Sequence, residues 1–224
     1  MDRVYTRLED ACDLFRERSF ATCIRDITLL PPEVLGIIFE FAVSAQDQPL
    51  EMALNLSHVC ASWRNLAINT PRLWNTIELG DSVDMVQTLL ERSKIAPLHI
   101  RLNPQYYGDW HDDGTSSLRQ SLAAAGAQGE RWQSFSADDL DNLESHQKQM
   151  LQTQLQAIDT PNLEHITVPT TQYITFPSLP ALRSLELTNV LDDNIFLKSF
   201  SNNLTHFSHV INDGSFLNLG FNLF

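Results

Sequence analysis

The sequence predicts an α+β chain, in which a small all-helical unit is followed by an α/β repeat region with parallel strands. Three features predict it. A proline-containing apolar stretch over residues 27–79 carries helical periodicity, five short apolar triplets and a final apolar pair recur through the later chain, and helical patterns fall between them. The composition suits such a fold: of 224 residues 43% are hydrophobic and 19% charged, a globular rather than a disordered balance.

The first element is an amphipathic helix over residues 3–18, within an N-terminal segment of residues 1–26. Val4, Leu8, Cys12 and Phe15 recur at three or four residues, while Arg7, Glu9, Asp10, Arg16 and Glu17 fill the other side. At roughly two heptads it is too short for a coiled coil on its own. It packs on its own domain or meets a partner helix, and the periodicity does not choose between them.

Residues 27–79 form the second segment. Pro31 and Pro32 preset the start of a helix, where a missing N–H costs nothing, and Glu33 sits in the first turn, where the helix dipole favours an acid. Val34, Leu35, Ile37, Ile38, Phe39 and Phe41 then make that helix apolar around most of its circumference. A helix of that kind is central or sandwiched against a partner. A polar break over residues 44–49 leads to a second helix with Leu54, Leu56 and Val59, then to a third in which Trp63, Leu66 and Ala67 share a stripe before Pro71. So short and so apolar a helical unit buries little surface alone and points to a partner.

The residues of this segment, LPPEVL with Ile38 and Phe41, then LSHVCASWRNLA, then TPRLW, resemble an F-box in the form common to large fungal F-box families. The resemblance covers residues 27–79, about a quarter of the chain. It implies docking on a Skp-type adaptor, which bridges to a cullin carrying the RING subunit. Carried over by position, the adaptor-binding residues it implies are Leu30, Pro31, Val34, Leu35 and Ile38 from the first helix, with Val59, Cys60, Trp63 and Leu66 building or extending the surface. Leu30, Pro31 and Leu35 are the expected contacts, and Trp63 and Trp74 are expected to be mostly structural. Ala61 and Ser62 stand where many relatives carry a basic residue.

Residues 80–224 continue with repeats. Trp74, Ile77 and Leu79; Pro97, Ile100 and Leu102; Trp132, Phe135 and Ala137; Leu163, Ile166 and Val168; Leu182, Leu185 and Leu187; and Leu204 with Phe207 follow one spacing, LxxLxL. Their starts lie 23, 35, 31, 19 and 22 residues apart, against about 20 to 29 in a leucine-rich repeat, which the pattern resembles in degenerate form. Between them fall helical patterns: Val83, Val86, Leu89 and Leu90; Leu118, Leu122 and Ala125; Leu143, Leu151, Leu155 and Ile158; and a short one near residues 195–200. Alternation at this spacing predicts a parallel sheet with right-handed crossovers, stacked as a leucine-rich-repeat-like solenoid; an α/β domain of another kind is the alternative. The chain ends on Phe216, Leu217, Leu219, Phe221, Leu223 and Phe224 in near alternation, like a strand whose next repeat is missing. The expectation is a chain truncated there, or an edge covered by a partner or by the N-terminal helix.

Charge narrows the partners. Against 15 basic side chains stand 28 acidic ones, a net charge of −13, split as 6 acidic and 5 basic over residues 1–26, 5 and 2 over 27–79, and 17 and 8 over 80–224. Phosphate backbones and anionic leaflets attract clustered Lys and Arg, so nucleic acid and membrane surfaces are poor partners. The acidic repeat region predicts a target with a basic patch. Residues 34–43 are broken by Glu40 and fall well short of the ~20 needed to span a bilayer, and MDRVYTRLED holds no apolar signal core. Cys12, Cys23 and Cys60 are an odd number without CxxC spacing, which suits a reducing compartment and reads as small core residues. The expected location is intracellular, in cytoplasm or nucleus.

Catalytic chemistry is sparse. There is no GxxxxGK, GxGxxG or HExxH motif. Ser57 and His58 are consecutive on a helix and do not face one another. His111, Asp112 and Asp113 lie side by side on a Gly-containing loop without a distant ligand at metal spacing. That loop also holds Tyr106, Tyr107 and Trp110, which either bind a target or pack locally. The acidic run Asp138, Asp139, Asp141 and Glu144 precedes a helix and complements its dipole. No catalytic residue, metal or cofactor is expected. Two functions fit: the substrate-receptor subunit of a Skp-cullin-F-box ubiquitin ligase, or a non-ligase interaction scaffold using the same F-box and repeat fold. An enzyme in its own right is disfavoured.

Overall fold

The computed structural model describes residue 27 and residues 30–102, 114–137, 140, 143–169, 174–187, 204–210 and 216–217. The helix expected over residues 3–18, the short one near residues 195–200 and the loop bearing Tyr106, Tyr107, Trp110, His111, Asp112 and Asp113 lie outside the described residues. Two compact units divide the chain, Met1–Ala67 and Ile68–Phe224. The division falls before the expected break after Leu79, because the turn Pro71–Trp74 and the strand Thr76–Glu78 belong with the sheet.

The first unit holds helices α1 (Pro32–Ser44) and α2 (Pro49–His58) and nearly all of α3 (Ala61–Ile68). Pro31 is the N-cap of α1, with its carbonyl accepting from the N–H groups of Val34 and Leu35, both at 3.0 Å. Pro32 occupies the first helical position and Glu33 the first turn, as their chemistry directs. Leu35, Phe39 and Val43 recur every four residues and are buried, with Ala53 of α2. The Phe39 ring meets Trp63 at 4.8 Å and 59°, so Trp63 does supply structure. Ser57 donates from Oγ to the Leu54 carbonyl at 2.7 Å, while Arg64 Nε donates to the Ser57 carbonyl at 3.1 Å and ties α3 to the end of α2.

The second unit runs β1 (Thr76–Glu78), α4 (Val83–Ser93), β2 (Leu98–Leu102), α5 (Gly114–Gly126), β3 (Trp132–Ala137), α6 (Ser145–Gln156), β4 (His165–Val168), β5 (Ser184–Leu187), β6 (His206–Val210) and β7 (Phe216–Leu217). The strands form one sheet in sequential order, β1 to β6 parallel and β7 antiparallel to β6. One row crosses six strands in register: Ile77, Ile100, Phe135, Ile166, Leu185 and Phe207. These are the central residues of the five sequence triplets, with Phe207 of the final pair. The first five are buried, along with Val86 and Leu89 of α4, Leu118 and Leu122 of α5, and Leu151 and Leu155 of α6. The helices follow the strands' order, α4 packing on α5 and α5 on α6.

Polar side chains stitch successive units at the strand starts. Asn75 Nδ2 donates to the Pro97 carbonyl and Asn162 Nδ2 to the Glu130 carbonyl, each at 2.8 Å. Arg131 donates to the Ala96 carbonyl at 2.9 and 3.1 Å and to Ser93 Oγ at 2.8 Å. The carbonyls of Pro97, Glu130 and Ala96 thereby gain side-chain donors from a neighbouring unit. The acidic side chain expected before α6 has a definite role: Glu144 is its N-cap, and Gln147 Oε1 accepts from the Glu144 N–H at 2.8 Å in a capping box. At the other end, β7 is a two-residue antiparallel return, with Phe216 opposite Val210, rather than a further parallel strand.

Candidate functional site

The apolar circumference of α1 resolves into two stripes. Leu35, Phe39 and Val43 face inward, whereas Val34, Ile37, Ile38 and Phe41, spaced as i, i+3, i+4 and i+7, form a second stripe in solvent. Phe41 is 72% exposed and Ile37 56%, and Val59, just past the end of α2, is 60% exposed. One exposed apolar side chain is ordinary; four at helical spacing on one short helix, with Phe41 among them, make a contiguous apolar face of the kind that marks interaction sites.

The expected adaptor-binding residues divide accordingly. Pro31, Val34, Ile38, Val59 and Cys60 are exposed, and Leu30, Trp63 and Leu66 are half-buried. Leu35 is corrected: at 6% exposure it packs inside the helical unit and offers almost no area to a partner. Its position one residue off the outer stripe turns it about 100° away from Val34. Cys60 is corrected in the other sense, since it is an exposed free thiol rather than a core residue. Ile37 and Phe41, absent from the expected contacts, are more exposed than Val34 and Ile38 beside them. Their signal was the three- and seven-residue spacing from Val34.

Catalytic geometry is lacking among the described residues. The Ser57 hydroxyl is engaged by a backbone carbonyl and buried, and no three His, Cys, Asp or Glu side chains gather in a way that could hold a metal. A cavity of about 310 Å³ beside the α1–α2 connection is lined by Gln46, Asp47, Gln48, Glu51, Met52 and Asn55, which include no Ser, Cys, His or Lys. No described helix is long and apolar enough to cross a membrane.

A second surface lies on the sheet. Thr76, His99, Ser134, His165, Ser184 and His206 align across six strands, and Glu78, Arg101, Ser136, Thr167, Glu186 and Ser208 align two residues further on. All twelve are half-buried or exposed. His99 Nδ1 and Ser134 Oγ share a hydrogen bond of 2.7 Å. Burial pushes His99 below the ordinary imidazole range, with the nearby His165 acting in the same direction. Fixed charges here are mutually engaged: Arg101 lies 3.4 Å from Glu78, Arg183 lies 3.8 Å from Glu164, and Thr167 donates to Glu186 at 3.4 Å. Among the described residues, three Glu stand against two Arg on this face, a net charge of −1.

Comparison with known proteins bears on the first of these surfaces. A family model described as F-box-like matches residues 27–79, so an F-box-like domain is present there. F-box domains generally bind Skp-type adaptors. No curated protein and no solved structure matches the chain significantly.

Proposed function

We propose that this chain is the substrate-receptor subunit of a Skp-cullin-F-box ubiquitin ligase. The observation that carries the reading is the outer stripe of α1, Val34, Ile37, Ile38 and Phe41, standing exposed within an F-box-like domain. The stripe docks on the adaptor, with Pro31 and Val59 at its margins. The sheet-bearing region, with five LxxLxL-like triplets and a final pair in one parallel register, is read as a degenerate leucine-rich-repeat solenoid that presents a target protein.

The chain contributes no catalytic group in this reading. It acts by proximity, holding an acceptor lysine near a ubiquitin carrier that the cullin and RING subunits bring, and so raises the effective concentration of the reacting pair. It works inside the cell. Co-purification of the full chain with a Skp-type adaptor and a cullin tests the assignment. A three-protein complex is the expected result; adaptor binding that never admits cullin would instead favour an interaction scaffold outside the ligase.

A further inference from the structure

The open polar face of the sheet carries a pattern that the docking reading does not use. His99, His165 and His206 occupy one register row on β2, β4 and β6, with Ser134 and Ser184 between them. Adjacent strands lie about 4.8 Å apart, so neighbouring histidines of the row are separated by about 9.6 Å. A polyproline II segment has three residues per turn and a rise of about 3.1 Å, which puts residues i and i+3 on one side about 9.3 Å apart.

We propose that this row binds an extended segment of a partner protein bearing an acidic side chain at every third position, one acid to each protonated histidine. Charge complementarity argues for that occupant. Among the described residues, the charged groups around the row are Glu78 on β1, Arg101 on β2, Glu164 just before β4, Arg183 just before β5 and Glu186 on β5, and four of these five are joined in ion pairs. Glu164 also accepts from Gln133 Nε2 at 3.3 Å and lies 3.8 Å from His165 Nε2. Among the described residues the face thus carries one net negative charge with neutral histidines and two net positive charges once all three are protonated. An anionic segment gains only in the second state, so its binding takes up protons and strengthens in mild acid. Burial of His99 and its proximity to His165 hold the His99 imidazole neutral until a counter-charge arrives.

The inference rests on the sheet being the target-presenting surface, and its test needs no adaptor, so its failure would leave the docking reading intact. Labelled seven-residue peptides are titrated into the full chain at constant ionic strength: Glu-Pro-Pro-Glu-Pro-Pro-Glu, a phosphoserine counterpart, a lysine counterpart, and an isomer with its three Glu adjacent. Affinity of the first peptide is expected to rise about tenfold from pH 7.5 to pH 6, with the adjacent isomer and the lysine peptide binding more weakly. Tighter binding of the phosphoserine peptide would identify phosphate as the preferred anion within the same proposal. Replacing His99, His165 and His206 together by Gln should abolish the rise; if that variant does not fold, exposed His206→Gln alone should reduce it, while His146→Gln on α6 should leave it unchanged. Affinity that is flat with pH, indifferent to acid spacing, or highest for the lysine peptide would overturn the proposal.

Discussion

Replacing Phe41 by Ala separates docking from folding. A phenylalanine carries roughly 200 Å² of surface, and at 72% exposure about 140 Å² of it remains for a partner to cover. At ~25 cal/mol per Å², complete coverage is worth about 3.5 kcal/mol. Alanine retains part of the contact, so the expected loss is about 2 to 3 kcal/mol, or roughly 30- to 150-fold in Kd for a Skp-type adaptor. Calorimetric titration of the purified chain with the adaptor measures the change. The melting temperature should hardly move, because Phe41 contributes little to the core. Phe39→Ala, two residues away, should do the opposite: Phe39 is buried against Trp63, and its truncation should cost ~3 to 5 kcal/mol of stability. A Kd for Phe41→Ala within threefold of the parent, or a melting loss equal to that of Phe39→Ala, would refute the two-stripe assignment of α1.

Other outcomes follow from the sheet unit. A Cβ added at Gly129 would collide with the Asp159 backbone carbonyl, whereas one at Gly126 would meet the flexible Ile158 side chain at 2.7 Å. Gly129→Ala should therefore lower thermal stability by about 2 kcal/mol or more and Gly126→Ala by distinctly less, and equal melting shifts would contradict the placement of these turns. His99 holds its proton less readily in the folded chain than at the ordinary value of 6.5. The unfolded chain then binds more protons, so stability falls as pH drops through about 6.5, and His99→Gln should flatten that part of a pH-denaturation curve. Asp81 is displaced the other way by burial, and its Oδ2 has no hydrogen-bond partner. Its ionisation opposes folding at neutral pH, an effect relieved as pH falls through its raised pKa. Asp81→Asn should therefore raise the melting temperature at pH 7 and lose that advantage in acid, and an advantage that persisted in acid would reject burial of the charge as its cause.

The periodicities that predict helices and strands survive in the fold because each encodes burial on one side of an element. The six central residues from Ile77 to Phe207 stand in one row, as their common spacing requires. The 35-residue gap hides a local irregularity: Leu98 pairs with Trp132 but His99 with Ser134, leaving Gln133 as the extra residue. Nothing in the pattern marks that shift. On α1 the sequence shows more apolar surface than one core face needs, yet it does not say which stripe turns inward, and Leu35 falls on the other side from the one expected. The habits of its residue type place Cys60 in a core, whereas its position just after the α2 C-cap, beside exposed Val59, leaves it in solvent. The row of histidines is invisible without register, because three residues 66 and 41 positions apart share no local pattern.

The most direct measurement is hydroxyl-radical footprinting of the full chain with and without a Skp-type adaptor. Val34, Ile37, Ile38, Phe41 and Val59 should lose reactivity together on binding, while the sheet residues His165 and His206 keep theirs. Adaptor binding that leaves the outer stripe of α1 fully reactive would contradict the account.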